Sequence, residues 1–103
     1  MFPLVDREQV LAALKQVKDP EIPINIVDLG LVYRLDISDD GVVDMDMTLT
    51  TLGCPAAPQI LEAARLAVES VEGVREARVN LVWMPPWTPD RMSERAKRAL
   101  GRA

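Results

Sequence analysis

The sequence predicts a small α/β sandwich of the α+β kind, in the order αββαβα, with a three-stranded mixed sheet and helices packed on one face. Three observations predict it. Val43, Met45, Met47 and Leu49 alternate with Asp44, Asp46, Thr48 and Thr50, which reads as a strand wet on one side and apolar on the other. Two segments, about 7–18 and 55–72, carry apolar residues at helical spacing. A tight polar turn joins the first two strands, whereas a whole helix separates the second from the third, so one connection is a hairpin and the other a right-handed crossover.

Taken in order, Asp6 and Gln9 have capping-box spacing, with Val5 and Val10 at the staple positions around them. Val10, Leu11, Leu14 and Val17 form the stripe of the first helix, and Pro20 is expected to stop it. Residues 19–30 read as a loop stiffened by Pro20 and Pro23, yet apolar enough to pack over the core. A strand follows with Leu31, Tyr33, Leu35 and Ile37 on one face and Val32, Arg34 and Asp36 on the other. Ser38-Asp39-Asp40-Gly41 supplies the turn. The second helix points Ile60, Leu61, Ala64, Ala67, Val68 and Val71 inward and closes at Gly73. Ala77, Val79, Leu81 and Trp83 form the inward face of a third strand, opposite Arg78, Asn80 and Val82. Met84-Pro85-Pro86-Trp87 is a rigid connector, and Thr88-Pro89-Asp90 opens a last helix running to about Leu100. Strand order is left open by the pattern.

The totals narrow the function. At 103 residues, 49% hydrophobic and 27% charged, the chain reads as one globular domain spanning 1–103. No apolar run reaches the ~20 residues a membrane span needs, and no signal peptide is visible, so a cytoplasmic location is expected. One cysteine excludes an internal disulfide. With no histidine, the chain contains neither a Ser-His-Asp nor a Cys-His pair, nor a histidine-based zinc site. The net charge of −4 divides into −8 over residues 1–90 and +4 over residues 91–103. An acidic body argues against nucleic acid as partner. The basic tail reads either as a solvated helix face or as a docking surface.

Three constellations carry candidate chemistry. Cys54 lies where the second strand hands over to the second helix, in Thr50-Thr51-Leu52-Gly53-Cys54-Pro55. A thiol at a helix mouth meets free backbone N–H groups and the positive end of the dipole, both of which favour thiolate. The competing reading is a buried cysteine acting as a small hydrophobe. Thr50 and Thr51 offer hydroxyl donors to a thiolate, or simply suit a strand end. Pro58 lacks the N–H that a helix capped at Cys54 requires, so either the first turn is distorted or the regular helix starts near Pro58. Asp19, Glu21 and Asp28 form an acidic loop able to orient a thiol, ligate iron or hold a proton. They are equally able to serve local turns. In the aromatic connector, Trp83 is expected in the core, whereas Trp87, with Arg91 and Arg95 beyond it, is expected at a partner surface.

Four stretches together resemble one family: Asp19-Pro20-Glu21-Ile22-Pro23; Ile26 to Tyr33; Thr48-Leu49-Thr50-Thr51 with Gly53-Cys54-Pro55; and Pro85 to Ser93. In this order they are similar to the SufT-like iron–sulfur cluster assembly factors, whose domain also occurs in PaaD-type proteins and at the N-terminus of some P-loop cluster-carrier ATPases. The resemblance implies an αββαβ core, Cys54 as functional centre, and Asp19, Glu21, Thr50 and Thr51 around it. It also implies a non-enzymatic role in maturing iron–sulfur proteins. The additional cysteine cluster of PaaD-type proteins is missing, which speaks against that specific role.

The leading expectation is therefore an assembly or trafficking factor in which Cys54 is a transient ligand to iron or to a cluster, with no cofactor stably bound. A second copy of the chain in a homodimer, or a carrier protein, would supply the remaining ligands. The expected partners are the assembly machinery, a P-loop cluster-carrier ATPase and apo target proteins. One alternative is an interaction adaptor with a structural Cys54. Another is a cysteine-nucleophile enzyme acting on a small molecule, which without histidine would need Asp19 or Glu21 as base.

Overall fold

The computed structural model describes residues 5–19, 23–50 and 57–101. Helix α1 spans Arg7–Leu14, strand β1 Val32–Ile37, β2 Val42–Met47, helix α2 Ala57–Glu69, β3 Glu76–Leu81 and helix α3 Glu94–Ala99, with a 3₁₀ turn at Pro89–Arg91. The sheet order is β1-β2-β3, antiparallel between β1 and β2 and parallel between β2 and β3. The hairpin and the helical crossover thus produce the mixed sheet that the sequence predicts.

Register explains the two faces. Val43 lies opposite Ala77, Met45 opposite Val79 and Met47 opposite Leu81. Val43, Met45 and Met47 are fully buried. On the other face Asp44 meets Arg78, and Asp46 meets Asn80. Arg34 gathers the acids there, donating to Asp46 and Asp36 and pairing with Asp44 at 3.3 Å. Asn80 donates to both Asp44 and Asp46. These contacts keep three like charges together on an open surface, where each pair adds little to stability.

Helix α2 supplies Ile60, Ala64 and Val68, spaced i, i+4, i+8, to the apolar face. Fully burying a side chain such as Val68 is worth about 1.5–3 kcal/mol. Its first residues, Ala57 and Pro58, place the proline where a helix needs no N–H from it. Helix α1 contributes Val10 and Leu14, and its Arg7 donates to the Leu35 carbonyl at 2.9 Å, which ties the start of the helix to β1. Val5 is also buried, as a staple residue should be. Ile26, Leu29 and Leu31 in the long loop are fully buried, so that segment does pack into the core. Gly41 adopts φ +88°, as the turn requires.

Five local expectations are corrected. Helix α1 ends at Leu14, well before Pro20, because residues 17–19 turn extended to pair with 24–26. Ile26 N–H donates to the Val17 carbonyl at 2.9 Å, Asp19 N–H to the Ile24 carbonyl at 3.2 Å, and Lys18 bridges Asn25. At the start of α1, the Asp6 carboxylate accepts from the Glu8 N–H rather than from Gln9. In β1, Val32 pairs with Met47 and Arg34 with Asp46, so Tyr33 is an inserted bulge residue. Val32, not Tyr33, therefore packs on the core. Trp83 lies beyond the end of β3 and is 37% exposed rather than buried. The last helix is split: Met92 is extended at ψ 149°, and the true N-cap is Ser93, whose hydroxyl accepts from the Ala96 N–H.

The split lets α3 sit against the 23–31 segment. Ser93 N–H donates to the Asp28 carbonyl at 2.7 Å, and Met92 and Ala96 complete the core. Gly30, at φ +77°, permits this approach, because a Cβ there would come within 2.2 Å of the Arg91 carbonyl oxygen. Among the described residues, no helix is long and apolar enough to cross a membrane.

Candidate functional site

The candidate site lies at the C-terminal end of the central strand. After Met47, the Thr48 N–H still donates to the Leu31 carbonyl at 2.8 Å, and the Val82 N–H donates to the Met47 carbonyl at 2.9 Å. β2 is thus held from both sides to its last residue. Thr48 and Leu49 are buried and Thr50 is half-buried. The chain resumes at Ala57 in α2, then returns through β3 parallel to β2. This is a strand–helix–strand unit, and sheets of this construction bind ligands beyond the carboxyl ends of their strands.

Of the expected site residues, Cys54, Glu21 and Thr51 lie outside the described residues. Asp19 and Thr50 are described. Asp19 is buried at the end of the short extended segment that pairs with Ile24, so it is held by backbone hydrogen bonds rather than left in solvent. Its neighbours Val17 and Lys18 form one wall of a groove of about 490 Å³, and Gln59 and Ile60 from the first turns of α2 form the other. The structure therefore brings the Asp19 segment beside the start of the helix that follows Cys54. Among the described residues, no group of three His, Cys, Asp or Glu side chains could hold a metal ion.

The third acid of the loop, Asp28, is engaged elsewhere. Its carboxylate accepts from the Asn25 amide at 2.8 Å, and its own N–H donates to the Asn25 side-chain oxygen at 2.9 Å. The Asn25 hydrogen bond above all, then the Ser93 side chain and the charges of Lys15 and Arg95, hold its carboxyl below the usual range, against the opposing effect of burial. Asp28 is thus a latch between the loop and α3.

Trp87, Arg91 and Arg95 each have contacts of their own. Trp87 is half-buried against the core, and its indole N–H donates to the Leu29 carbonyl at 2.6 Å. Arg91 stacks on the Tyr33 ring, 4.7 Å from its centroid, while the Tyr33 hydroxyl donates to the Pro85 carbonyl at 2.8 Å. Arg95 is exposed and lines a separate cleft with Lys18 and Asp28. The sequence reading also missed Thr48. Its hydroxyl is buried without a hydrogen-bond partner among the described residues, although strict alternation assigns it to the wet face. No sequence signal distinguishes it from Thr50.

A small α+β sandwich with a strand–helix turn at the end of its middle strand is the class that this geometry defines. The chain belongs to the iron–sulfur cluster assembly protein family, which matches residues 7–81. It is 47% identical over 95 residues to the Fe-S protein maturation auxiliary factor YitW of Bacillus subtilis, covering 92% of this chain and 93% of that one. It is 49% identical over 83 residues to the Fe-S protein maturation auxiliary factor SufT of Staphylococcus aureus, covering 81% and 94%. A crystal structure of a domain of unknown function from Bacillus anthracis superposes with a TM-score of 0.87 at 41% identity, covering 93% of this chain and 92% of that one.

Proposed function

We propose that this protein is a non-enzymatic factor that helps mature iron–sulfur proteins in the cytoplasm through the thiolate of Cys54. The observation that carries the reading is the similarity to maturation auxiliary factors over nearly the full chain, combined with the sole cysteine at a strand–helix turn. A soft thiolate suits iron, and one ligand per chain keeps the hold weak enough to release its cargo. In transfer, the Cys54 sulfur forms a bond to cluster iron as a ligand from the donor leaves. The reverse exchange hands the cluster on, with no change in its oxidation state. Asp19, Glu21, Thr50 and Thr51 are assigned to the surroundings of that sulfur, where hydroxyl donors favour thiolate and carboxylates take up its proton. The assembly machinery or a P-loop carrier ATPase delivers the cluster, and apo proteins receive it. A second copy of the chain, or the carrier, completes the ligand set.

Replacing Cys54 by Ser tests this. In a strain lacking the protein, Cys54→Ser is expected to leave iron–sulfur enzymes immature while keeping the thermal midpoint of the purified protein within a few degrees. Full complementation by the variant contradicts the thiol mechanism. Anaerobic reconstitution with iron and sulfide, followed by native mass, reads whether one chain or two hold the cargo.

A further inference from the structure

The chain is acidic overall, yet one face of it is not. Lys15 caps the C-terminus of α1, Lys18 lies in the extended segment after it, and Arg95 sits in the first turn of α3. All three side chains are exposed, and none has an ion-pair partner among the described residues. Elsewhere Arg34, Arg65, Arg75, Arg78 and Lys97 pair with acids, Arg7 donates to the Leu35 carbonyl and Arg91 stacks on Tyr33. Asp28 feels the charges of Lys15 and Arg95, but its carboxylate also accepts from Asn25, and Asp19 beside Lys18 is buried.

Lys18 lines two openings at once. On one side lies the groove of about 490 Å³ between the 16–18 segment and α2, lined by Val17, Ile60, Ala63 and Ala67. On the other lies a cleft of about 180 Å³ between the 23–28 segment and α3, with Ile24 and Ala99 beside Arg95. Leu66, on the same helix as Ala63 and Ala67, is 54% exposed. Lys18 stands at the rim of the aliphatic groove and, with Arg95, at that of the neighbouring cleft, so the edge the two openings share is positive beside an apolar floor.

We propose that this face docks an acidic segment of another protein, with its apolar side chains in the groove between the 16–18 segment and α2 and its carboxylates on Lys15, Lys18 and Arg95. Charge complementarity selects the occupant, since desolvated cations gain most from carboxylates presented on a fixed surface. Aliphatic walls favour a polypeptide over nucleic acid, which asks for aromatic stacking platforms. The inference deepens the maturation reading and rests on it for the partner's place in that process. It names what the partner presents, and the groove adjoins the Asp19 segment and the start of α2, where docking would bring a donor or recipient close to the strand–helix turn.

The test is selection of random 15-residue peptides displayed on phage against the immobilised protein, and it reads binding alone. Running it with Cys54→Ser as well separates failure of this proposal from failure of the thiol mechanism. Selected peptides are expected to combine Asp or Glu with aliphatic residues and to bind equally well with and without Cys54. Their affinity should fall roughly tenfold or more in Lys15→Gln/Lys18→Gln/Arg95→Gln. It should fall similarly in Ala63→Arg, which fills the groove and leaves the cations in place, while Arg91→Gln binds as the parent does. Unchanged circular dichroism keeps the loss attributable to the surface. The proposal is overturned if nothing is enriched, if enriched peptides lack acids, or if they bind the triple variant as well as the parent. It is also overturned if a random 15-mer RNA binds more tightly, or if the parent self-associates in sedimentation through this face.

Discussion

The Trp87 indole N–H donates to the Leu29 carbonyl at 2.6 Å, joining two residues 58 positions apart. Leu29 is fully buried, so its carbonyl has no recourse to water. Together with the Ser93 N–H on the Asp28 carbonyl, this bond fastens the C-terminal segment over the loop that leads into β1. Trp87→Phe keeps the ring packing and leaves that acceptor unpaired, at a cost of about 1–2 kcal/mol in urea unfolding. Trp83→Phe, at an exposed position, should stay within about 0.5 kcal/mol of the parent. Equal effects of the two would refute the assignment of Trp87 as the anchor.

Asp28 gives the latch a pH dependence. Its folded-state pKa lies below the unfolded value, so its contribution is fully present above about pH 4 and is lost as pH falls through the folded pKa. Asp40 and Asp46 are also held low, by Ser38 and Arg34 respectively, and share the acid-side slope. Asp28→Asn should therefore flatten, without abolishing, the loss of stability between about pH 5 and pH 2. Denaturation midpoints measured across that range check it; an unchanged slope would mean that the latch does not depend on charge.

Thr48 carries a buried hydroxyl that makes no hydrogen bond among the described residues. Valine has nearly the same shape and no polar atom, so Thr48→Val should raise stability by about 1 kcal/mol. A loss of stability instead would show that the hydroxyl has a partner in solution.

The layered plan was legible because it rests on local periodicity. Asp44 and Asp46 between Val43, Met45 and Met47 leave β2 only one way to face the helices, and Ile60, Ala64 and Val68 do the same for α2. What the pattern hid was set by distant partners. Helix α1 gives way at Leu14 because residues 17–19 pair with 24–26, and Tyr33 bulges out with its ring stacked under Arg91 and its hydroxyl on Pro85. A strict period of two cannot anticipate an inserted residue. Ser93 outcompetes Thr88 as a cap because only Ser93 is also fixed by the Asp28 carbonyl. Of the expected site residues, Thr50 lies just past the end of β2, and Asp19 is buried in the segment that faces the first turns of α2. The contacts of Trp87 with Leu29, of Arg91 with Tyr33 and of Arg95 with its cleft all join segments distant in sequence, which no local pattern shows.

The central claim is that Cys54 is an accessible thiol whose surroundings favour the thiolate. The rate of alkylation of the native protein by iodoacetamide, followed by mass spectrometry from about pH 5 to 10, tests it most directly. The account predicts a rise centred clearly below the ~8.5 of a free cysteine, with full modification before any unfolding. Modification that begins only in denaturant would contradict it, as would a rise centred at or above that free value.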